Sequence, residues 1–260
     1  MLVHPNFDPV IVSIGPLSIQ WYGLMYLLGF LSAYWLANVR KQRLNWNSED
    51  VSDLIFYAAM GVILGGRLGY ALLYKAQFYF TNPLEILKVW EGGMSFHGGL
   101  LGVGLALVLI ARKKRLPFYQ VADFVAPLAP LGLFFGRMGN FINQELWGRV
   151  TDVPWGMVFQ TGGNLPRHPS MLYEAMLEGI VLFIVLWSFT RKPKAMGQAT
   201  GLFLLGYGIF RFLVEIVREP DTHIGYIAFD WFTIGQLYCI PMVLFGIYLL
   251  CRTSKIQNPA

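Results

Sequence analysis

The sequence contains few charged residues and few cysteines for its length. Only 13% of its 260 residues are Asp, Glu, Lys or Arg, whereas 55% are hydrophobic. A soluble domain usually carries about 25% charged residues, so this composition excludes an ordinary soluble domain and favours an integral membrane protein. The two cysteines, Cys239 and Cys251, form no Cys-x-x-Cys motif and no Cys/His motif. We therefore expect no disulfide framework, no metal site and no cofactor.

The chain also lacks a basic patch, although its formal net charge is +5. Its Lys and Arg residues lie in short clusters between apolar segments, as they do in the cytoplasmic loops of membrane proteins. Nucleic acid is therefore not an expected partner. The first 20 residues contain no Lys or Arg, so a cleavable signal peptide is not predicted either.

Seven apolar segments approach the length of about 20 residues that a helix needs to cross a bilayer. The loops after the first, third and fifth segments and the C-terminal tail hold twelve Lys and Arg residues, against five on the opposite side. The positive-inside rule then places the C-terminus in the cytoplasm and the N-terminus outside. We predict an all-α integral membrane protein, a single transmembrane domain over residues 1–260, with seven transmembrane helices near 20–39, 52–74, 96–111, 119–142, 171–189, 197–217 and 234–250.

Two extracytoplasmic connections are longer than a turn. Residues 75–95 are rich in aromatic and aliphatic side chains, which is typical of a segment in the headgroup layer. Residues 143–170 contain seven Gly and Pro residues, too many for a spanning helix. We predict insertions at these two places, the second forming a small extracytoplasmic cap.

Three arginines, Arg67, Arg137 and Arg211, lie inside the apolar segments. A cation in hydrocarbon costs from roughly 3 to above 10 kcal/mol, by contested measures, so it normally lines a polar cavity or pairs with an anion. Glu174 and Glu178, just inside the fifth segment, could be counter-charges for these arginines. The role of Arg67 is left open, because no acidic residue is near it in sequence.

Arg211 belongs to a polar stripe on the sixth segment with Tyr207, Glu215 and Arg218, spaced four, four and three residues apart. These spacings place the four side chains on one face of a helix. Glu215 can neutralise and orient one guanidinium while leaving donors free for a second anion. The alternative interpretation is an ion-pair ladder within one helix that only lowers the cost of burying the arginines.

Arg137 and Asn140 share a face near the outer end of the fourth segment, where glycines allow close approach of a backbone or a lipid headgroup. Pro127 and Pro130 predict a kink upstream. The alternative is close helix packing with a snorkelling arginine. His97 lies at the same predicted depth, where a lone histidine is more often an interface residue than a catalyst.

Taken by type, these residues favour a site for an anionic headgroup in the outer leaflet. Three functions then remain open. They are a transferase or hydrolase that uses a phospholipid, a transporter of an anionic solute, and a scaffold that only binds lipid.

Four stretches of the sequence resemble bacterial prolipoprotein diacylglyceryl transferases. They are HGGL at 97–100, GRMGNFINQELWG at 136–148, RHPS at 167–170 and YGIFR at 207–211, the last followed by Glu215. The likeness extends over nearly the whole chain. It implies an enzyme of the bacterial cytoplasmic (inner) membrane, multi-pass, with its active site facing the outer leaflet.

The resemblance also implies the reaction and its partners. The diacylglyceryl group of phosphatidylglycerol moves to the lipobox cysteine of a preprolipoprotein, a thioether forms, and glycerol phosphate leaves. The expected partners are phosphatidylglycerol, the signal peptide that carries the lipobox cysteine, and membrane lipid. This is the first step of lipoprotein maturation.

The chemical needs of this reaction lead to a hypothesis about which residues act. We expect Arg137 and Arg211 to hold the phosphate, and His97, or Glu145 instead, to be the base. Glu145 and Glu215 are expected to orient the arginines. The remaining residues expected to bind substrate are Tyr22, Gly98, Gly99, Asn140, Gly148 and Tyr207.

Overall fold

A computed structural model of the chain describes residues 2–15, 17–89, 92–220, 225–229 and 231–252. Most of these residues are helical. One stretch, Ala175–Val181, is π-helical. The α-helices are α1 (Trp21–Arg40), α2 (Ser48–Leu73), α3 (Ala76–Thr81), α4 (Phe96–Lys113), α5 (Phe118–Val125), α6 (Ala129–Ile142), α7 (Ser170–Glu174), α8 (Leu182–Phe189), α9 (Gln198–Glu215) and α10 (Ile234–Cys251).

Five helical segments in the described ranges are long and apolar enough to cross a membrane, and a bent pair is a sixth candidate. The pair is α5 and α6, which meet at an angle of 49°. The predicted kink is thus confirmed, because Pro127 lies at the break and Pro130 in the first turn of α6. The five segments are Trp21–Leu44, Ser48–Leu73, Phe96–Lys113, Ser170–Phe189 and Ile234–Cys251.

Helix α9 forms where the sixth span was predicted, at 197–217, but it is not among these candidates. Gln198, Arg211 and Glu215 make this helix less apolar than the others. The structure therefore supports a mainly helical integral membrane protein with five or six candidate spans. The count of seven and the orientation of the termini stay predictions.

Small sheets, which the all-α prediction did not include, accompany the helices in the described residues. Strand β1 (Leu2–Val3) pairs in parallel with β4 (Met157–Val158). The antiparallel pairs are β2 (Val10–Ile14) with β3 (Leu17–Gln20), and β5 (Tyr226–Ala228) with β6 (Phe232–Thr233). The pairing of β1 with β4 ties the N-terminal segment to the predicted cap.

The chain divides into two compact units. The first unit contains Met1–Trp35 and Asp123–Asn258, and the second contains Leu36–Ala122. The prediction of a single transmembrane domain over the whole chain stays a prediction.

In the second unit, α2 and α4 cross closely because glycines face each other. A Cβ atom on Gly69 would lie 2.7 Å from the Cα atom of Gly98, and one on Gly61 would lie 2.5 Å from the carbonyl oxygen of Gly102. Side chains at these positions would push the two helices apart. Gly98, predicted to bind substrate, thus has a packing role.

Arg67 on α2 holds the insertion that follows the helix. Its side chain donates to the carbonyl oxygens of Glu85 at 2.7 Å, of Ile86 at 2.9 Å and of Gly92 at 2.5 Å. Only 3% of the residue is exposed. Because these acceptors are backbone groups, Arg67 fastens residues 85–86 and 92 to α2.

Candidate active site

Six charged side chains from α6, α7, the π-helical stretch, α9 and the turn after α9 meet in the first unit. We call this group the arginine–glutamate cluster. It consists of Arg137, Arg211, Arg218, Glu174, Glu178 and Glu215.

Glu174 is the centre of the cluster and is fully buried. Its Oε1 atom accepts hydrogen bonds from Nη1 of Arg211 and, at 3.1 Å, from Nη1 of Arg218. Its Oε2 atom lies 2.9 Å from Nε of Arg137, in an ion pair without hydrogen-bond alignment. One carboxylate therefore contacts three arginines, and the prediction that Glu174 is a counter-charge is confirmed.

Glu215 pairs with Arg211 and is held in place by the start of α10. Nη2 of Arg211 lies 2.6 Å from Oε2 of Glu215. The hydroxyl of Thr233, which caps the N-terminus of α10, donates to Oε1 of Glu215 at 3.0 Å. The predicted pairing of Glu215 with an arginine is thus observed. Because Arg211 also contacts Glu174 on another helix, the stripe on α9 is more than a ladder within one helix.

Glu178 is the second counter-charge proposed from the sequence, and it contacts Arg137 only loosely. Its Oε2 atom lies 3.6 Å from Nη2 of Arg137, and the side chain is 0% exposed. Within the part of the chain that the structure describes, neither carboxylate oxygen of Glu178 has a hydrogen-bond partner. Glu178 belongs to the π-helical stretch, a conformation that is frequent at functional sites.

The side-chain amide of Asn140 connects Arg137 to Glu145. Nη1 of Arg137 lies 3.4 Å from Oδ1 of Asn140, and Nδ2 of Asn140 donates to Oε2 of Glu145 at 3.2 Å. Nδ2 of Asn143 donates to Oε1 of Glu145 at 3.2 Å. In the described contacts Glu145 therefore reaches Arg137 through Asn140, and its expected role in orienting the arginines stays a prediction.

The arginines of the cluster are more exposed than its carboxylates. The side chains of Arg137, Arg211 and Arg218 are 17%, 15% and 11% exposed. The values for Glu174 and Glu178 are 0%, and that for Glu215 is 7%. The carboxylates thus lie behind the arginines. Guanidinium groups carry five N–H donors each, so this side of the cluster can bind a further anion.

Other predicted site residues shape the first unit by packing. A Cβ atom on Gly139 would lie 2.8 Å from Cδ2 of Tyr22, so the ring of Tyr22 packs against the backbone of α6. The amide of Gly148 donates to the carbonyl of His168 at 2.8 Å, and a Cβ atom on Gly148 would lie 2.5 Å from the carbonyl oxygen of Val217. Tyr207 stacks on Phe203 at a centroid distance of 5.9 Å.

The predicted cap carries two further arginines that sequence analysis did not select. Arg167 stacks over Trp147 at 4.0 Å and lies 3.0 Å from Oε2 of Glu219. Nε of Arg149 donates to the carbonyl of Arg218 at 3.0 Å. These contacts hold the cap against the turn that carries Arg218. Arg167 opens the RHPS motif, but neither the motif nor the loop position of Arg149 indicated these contacts.

His97, Gly98 and Gly99 belong to the second unit, at the start of α4. Ser95 caps this helix by accepting a hydrogen bond from the amide of Gly98 at 3.2 Å. The roles of His97 and Gly99 stay predictions. Across the described ranges, no group of His, Cys, Asp and Glu is arranged to hold a metal ion.

The fold and the cluster together define a multi-pass membrane protein with a buried arginine–glutamate centre. The sequence profile of prolipoprotein diacylglyceryl transferases matches residues 9–252. The chain therefore belongs to this family, and the resemblance seen in its four motifs is confirmed.

Curated relatives cover nearly the full chain. The phosphatidylglycerol–prolipoprotein diacylglyceryl transferase of Nitratidesulfovibrio vulgaris (strain DP4) is 55% identical over 252 residues, which are 96% of either chain. That of Pseudomonas paraeruginosa is 58% identical over 96% of this chain and 95% of its own. That of Oleidesulfovibrio alaskensis is 56% identical over 100% of this chain and 98% of its own.

Proposed function

We propose that this chain transfers the diacylglyceryl group of phosphatidylglycerol to the lipobox cysteine of a preprolipoprotein. Family membership and the activity for which the curated relatives are named support this reaction. A thioether forms between the cysteine sulfur and the glyceryl carbon, the bond from that carbon to the phosphate oxygen breaks, and glycerol phosphate leaves. Phosphatidylglycerol, the lipobox signal peptide and membrane lipid are then the partners.

The observation that carries the site assignment is the difference in exposure within the arginine–glutamate cluster. Arg137 and Arg211 are partly open, at 17% and 15%, while Glu174 behind them is closed at 0%. The leaving phosphate gains a negative charge as the carbon–oxygen bond breaks. Fixed donors directed at such a developing charge lower the barrier by about 3 kcal/mol each. We assign the phosphate to these two arginines, with Asn140 and Tyr22 beside them.

The attacking group must be the thiolate, since a free thiol titrates near a pKa of about 8.5 and is a poor nucleophile. We propose His97 as the base that takes this proton, with Glu145 as the alternative. Both residues are exposed. A pH–rate profile that is unchanged in His97→Gln, together with a changed one in Glu145→Gln, would transfer the role to Glu145.

The membrane arrangement is also a proposal. We count α9 as a span with the bent α5–α6 pair, which makes seven transmembrane helices. The excess of Lys and Arg in alternate loops supports an N-terminus outside and a C-terminus in the cytoplasm. The outer ends of α6 and α9 then place the cluster toward the outer leaflet of the bacterial inner membrane.

The reaction is tested with purified protein in detergent, phosphatidylglycerol and a synthetic lipobox peptide. We expect a peptide whose mass increases by one diacylglyceryl group, with glycerol phosphate released in equal amount. Arg137→Ala is the control and should form no adduct. Protein that binds phosphatidylglycerol but never forms adduct would contradict the proposal and favour lipid binding or transport.

A further inference from the structure

Beyond a register shift between Val10 and Val12, the hairpin of β2 and β3 has one apolar face and one face that carries serines. In its antiparallel register Val12 lies opposite Ile19, and Ser13 lies opposite Ser18. Residues directly opposite each other share a face, and neighbours along a strand alternate between faces. Val12, Ile14 and Ile19 therefore point to one side, while the two serines point to the other.

The apolar face of this hairpin is not covered by the rest of the described chain. Val12 is 43% exposed, Ile14 69% and Ile19 52%. In an antiparallel sheet of a soluble protein the apolar face normally packs on a core. Apolar patches that stay exposed mark surfaces that contact another phase or another molecule.

The position of the hairpin identifies what covers that face. Strand β3 ends at Gln20 and the candidate span α1 begins at the next residue, Trp21. The amide of Trp21 donates to the carbonyl of Pro9 at 3.0 Å, which closes the base of the hairpin on the first turn of the helix. No Asp, Glu, Lys or Arg occurs between Asp8 and Arg40. The hairpin is thus an uncharged continuation of a membrane span.

We propose that this hairpin lies in the bilayer surface, with Val12, Ile14 and Ile19 among the acyl chains and Ser13 and Ser18 toward water. The partner is lipid, because the exposed face is continuous with the lipid-facing span and carries no charge for a protein partner to match. Both edges of a two-stranded hairpin present unpaired backbone groups, which need water or headgroups as partners. The hairpin therefore stays at the interface and does not enter the hydrocarbon centre.

This anchor sets the depth of the outer end of α1. Tyr22, the second residue of α1, packs on Gly139 of α6, two residues from Arg137 in the sequence. Burial of the hairpin face thereby fixes the level of the bilayer surface at the start of α1. The inference concerns the membrane and does not depend on the proposed reaction.

Nitroxide labels test the orientation of the hairpin. Single cysteines are placed at positions 14 and 19, or at 13 and 18 as the matched controls, after Cys239→Ala and Cys251→Ser. The labelled proteins are reconstituted in phosphatidylglycerol nanodiscs, and power saturation is measured with oxygen and with a water-soluble nickel complex. We expect oxygen to dominate at 14 and 19, and nickel to dominate at 13 and 18.

Two outcomes would overturn the proposal. Equal accessibility on both faces would place the hairpin in water. Protection of positions 14 and 19 from both reagents would show that protein, such as a signal peptide or a second copy, covers the face. As a second measurement, Ile14→Glu with Ile19→Glu should abolish the oxygen preference of a label at position 12, whereas Ser13→Glu with Ser18→Glu should leave it unchanged.

Discussion

Arg67 and Arg137 both lie inside apolar helices, but the two units of the molecule give them different partners. Arg67 is 3% exposed and donates to backbone carbonyl groups, which are neutral. The side chain of Arg137 is 17% exposed and pairs with Glu174. An arginine enclosed by carbonyls can fasten a segment. An arginine backed by a buried carboxylate and open on its other side can bind a second anion.

The comparison shows that a buried arginine can have its donors satisfied without forming a site for an anion. Carbonyl groups occupy the donors of Arg67 and enclose it at 3% exposure, so few donors are within reach of an incoming phosphate. In the arginine–glutamate cluster three arginines and three glutamates balance, and the partly open donors stay available. Four variants test whether this distinction holds, beginning with the largest expected effect.

Glu174→Gln should cost the most stability. Removal of one partner from a buried ion pair costs about 3–5 kcal/mol, because the remaining charge is left uncompensated, and here three arginines lose one carboxylate. The thermal midpoint in detergent should fall sharply. Glu145→Gln is the stability control, since Glu145 is exposed and contacts only amides among the described residues. Equal midpoints for the two variants would remove Glu174 from the centre of the cluster.

Arg137→Lys should lower activity more than stability. Lysine keeps the charge but loses the planar fork of donors, and loss of one preorganised donor lowers kcat by about 100-fold. The measurement is adduct formation at saturating phosphatidylglycerol, beside the thermal midpoint. Full activity in this variant would show that charge alone suffices and would weaken the contrast with Arg67.

Arg67→Met should show the opposite pattern. The carbonyl groups of Glu85 and Ile86 would lose a buried donor, at a cost of about 1–3 kcal/mol, and the insertion should detach from α2. We expect faster hydrogen exchange over residues 82–89 and a lower thermal midpoint, with kcat of the folded fraction close to that of the unaltered enzyme. A kcat reduced as far as in Arg137→Lys would make Arg67 functional as well.

The smallest effect concerns pH. Burial and the nearby Arg149 lower the pKa of His168, in the cap, below its usual 6.5. Between the lowered pKa of the folded state and the usual 6.5 of the unfolded chain, the unfolded chain binds more protons than the folded one. The contribution of His168 to stability is therefore fully present above about pH 6.5 and is lost as the pH falls below it. The Arg67 site has only backbone acceptors, which do not titrate there. The difference in thermal midpoint between pH 7.5 and 5.5 should therefore shrink in His168→Gln and stay unchanged in Arg67→Met.

Much of the membrane architecture could be predicted from the sequence, because hydropathy is a local property. Each predicted span corresponds to helix in the structure, and the kink beside Pro127 lies where proline removes a backbone donor. The small sheets could not be predicted, since their strands have two to five residues. Such strands form only when a partner is brought close by the fold.

The candidate site, too, could be predicted from the sequence only in part. Intramembrane charge singled out Arg137, Arg211 and Glu215, because a charged residue in an apolar run is visible in the sequence itself. The central position of Glu174 was not visible. It lies 37 residues from Arg211 and 44 from Arg218, and only the packing of α7 against α6 and α9 decides which arginines it meets.

The sequence by itself determined that this protein is a helical membrane protein of the diacylglyceryl transferase family, with arginines inside its apolar segments. The tertiary structure alone decided which partners each arginine meets. The acceptors of Arg67 are carbonyls 18 to 26 residues away, and every residue carries a carbonyl, so no residue type marks them. Glutamates can be recognised in the sequence, but the distances between their carboxylates and the arginines are set only when the helices pack.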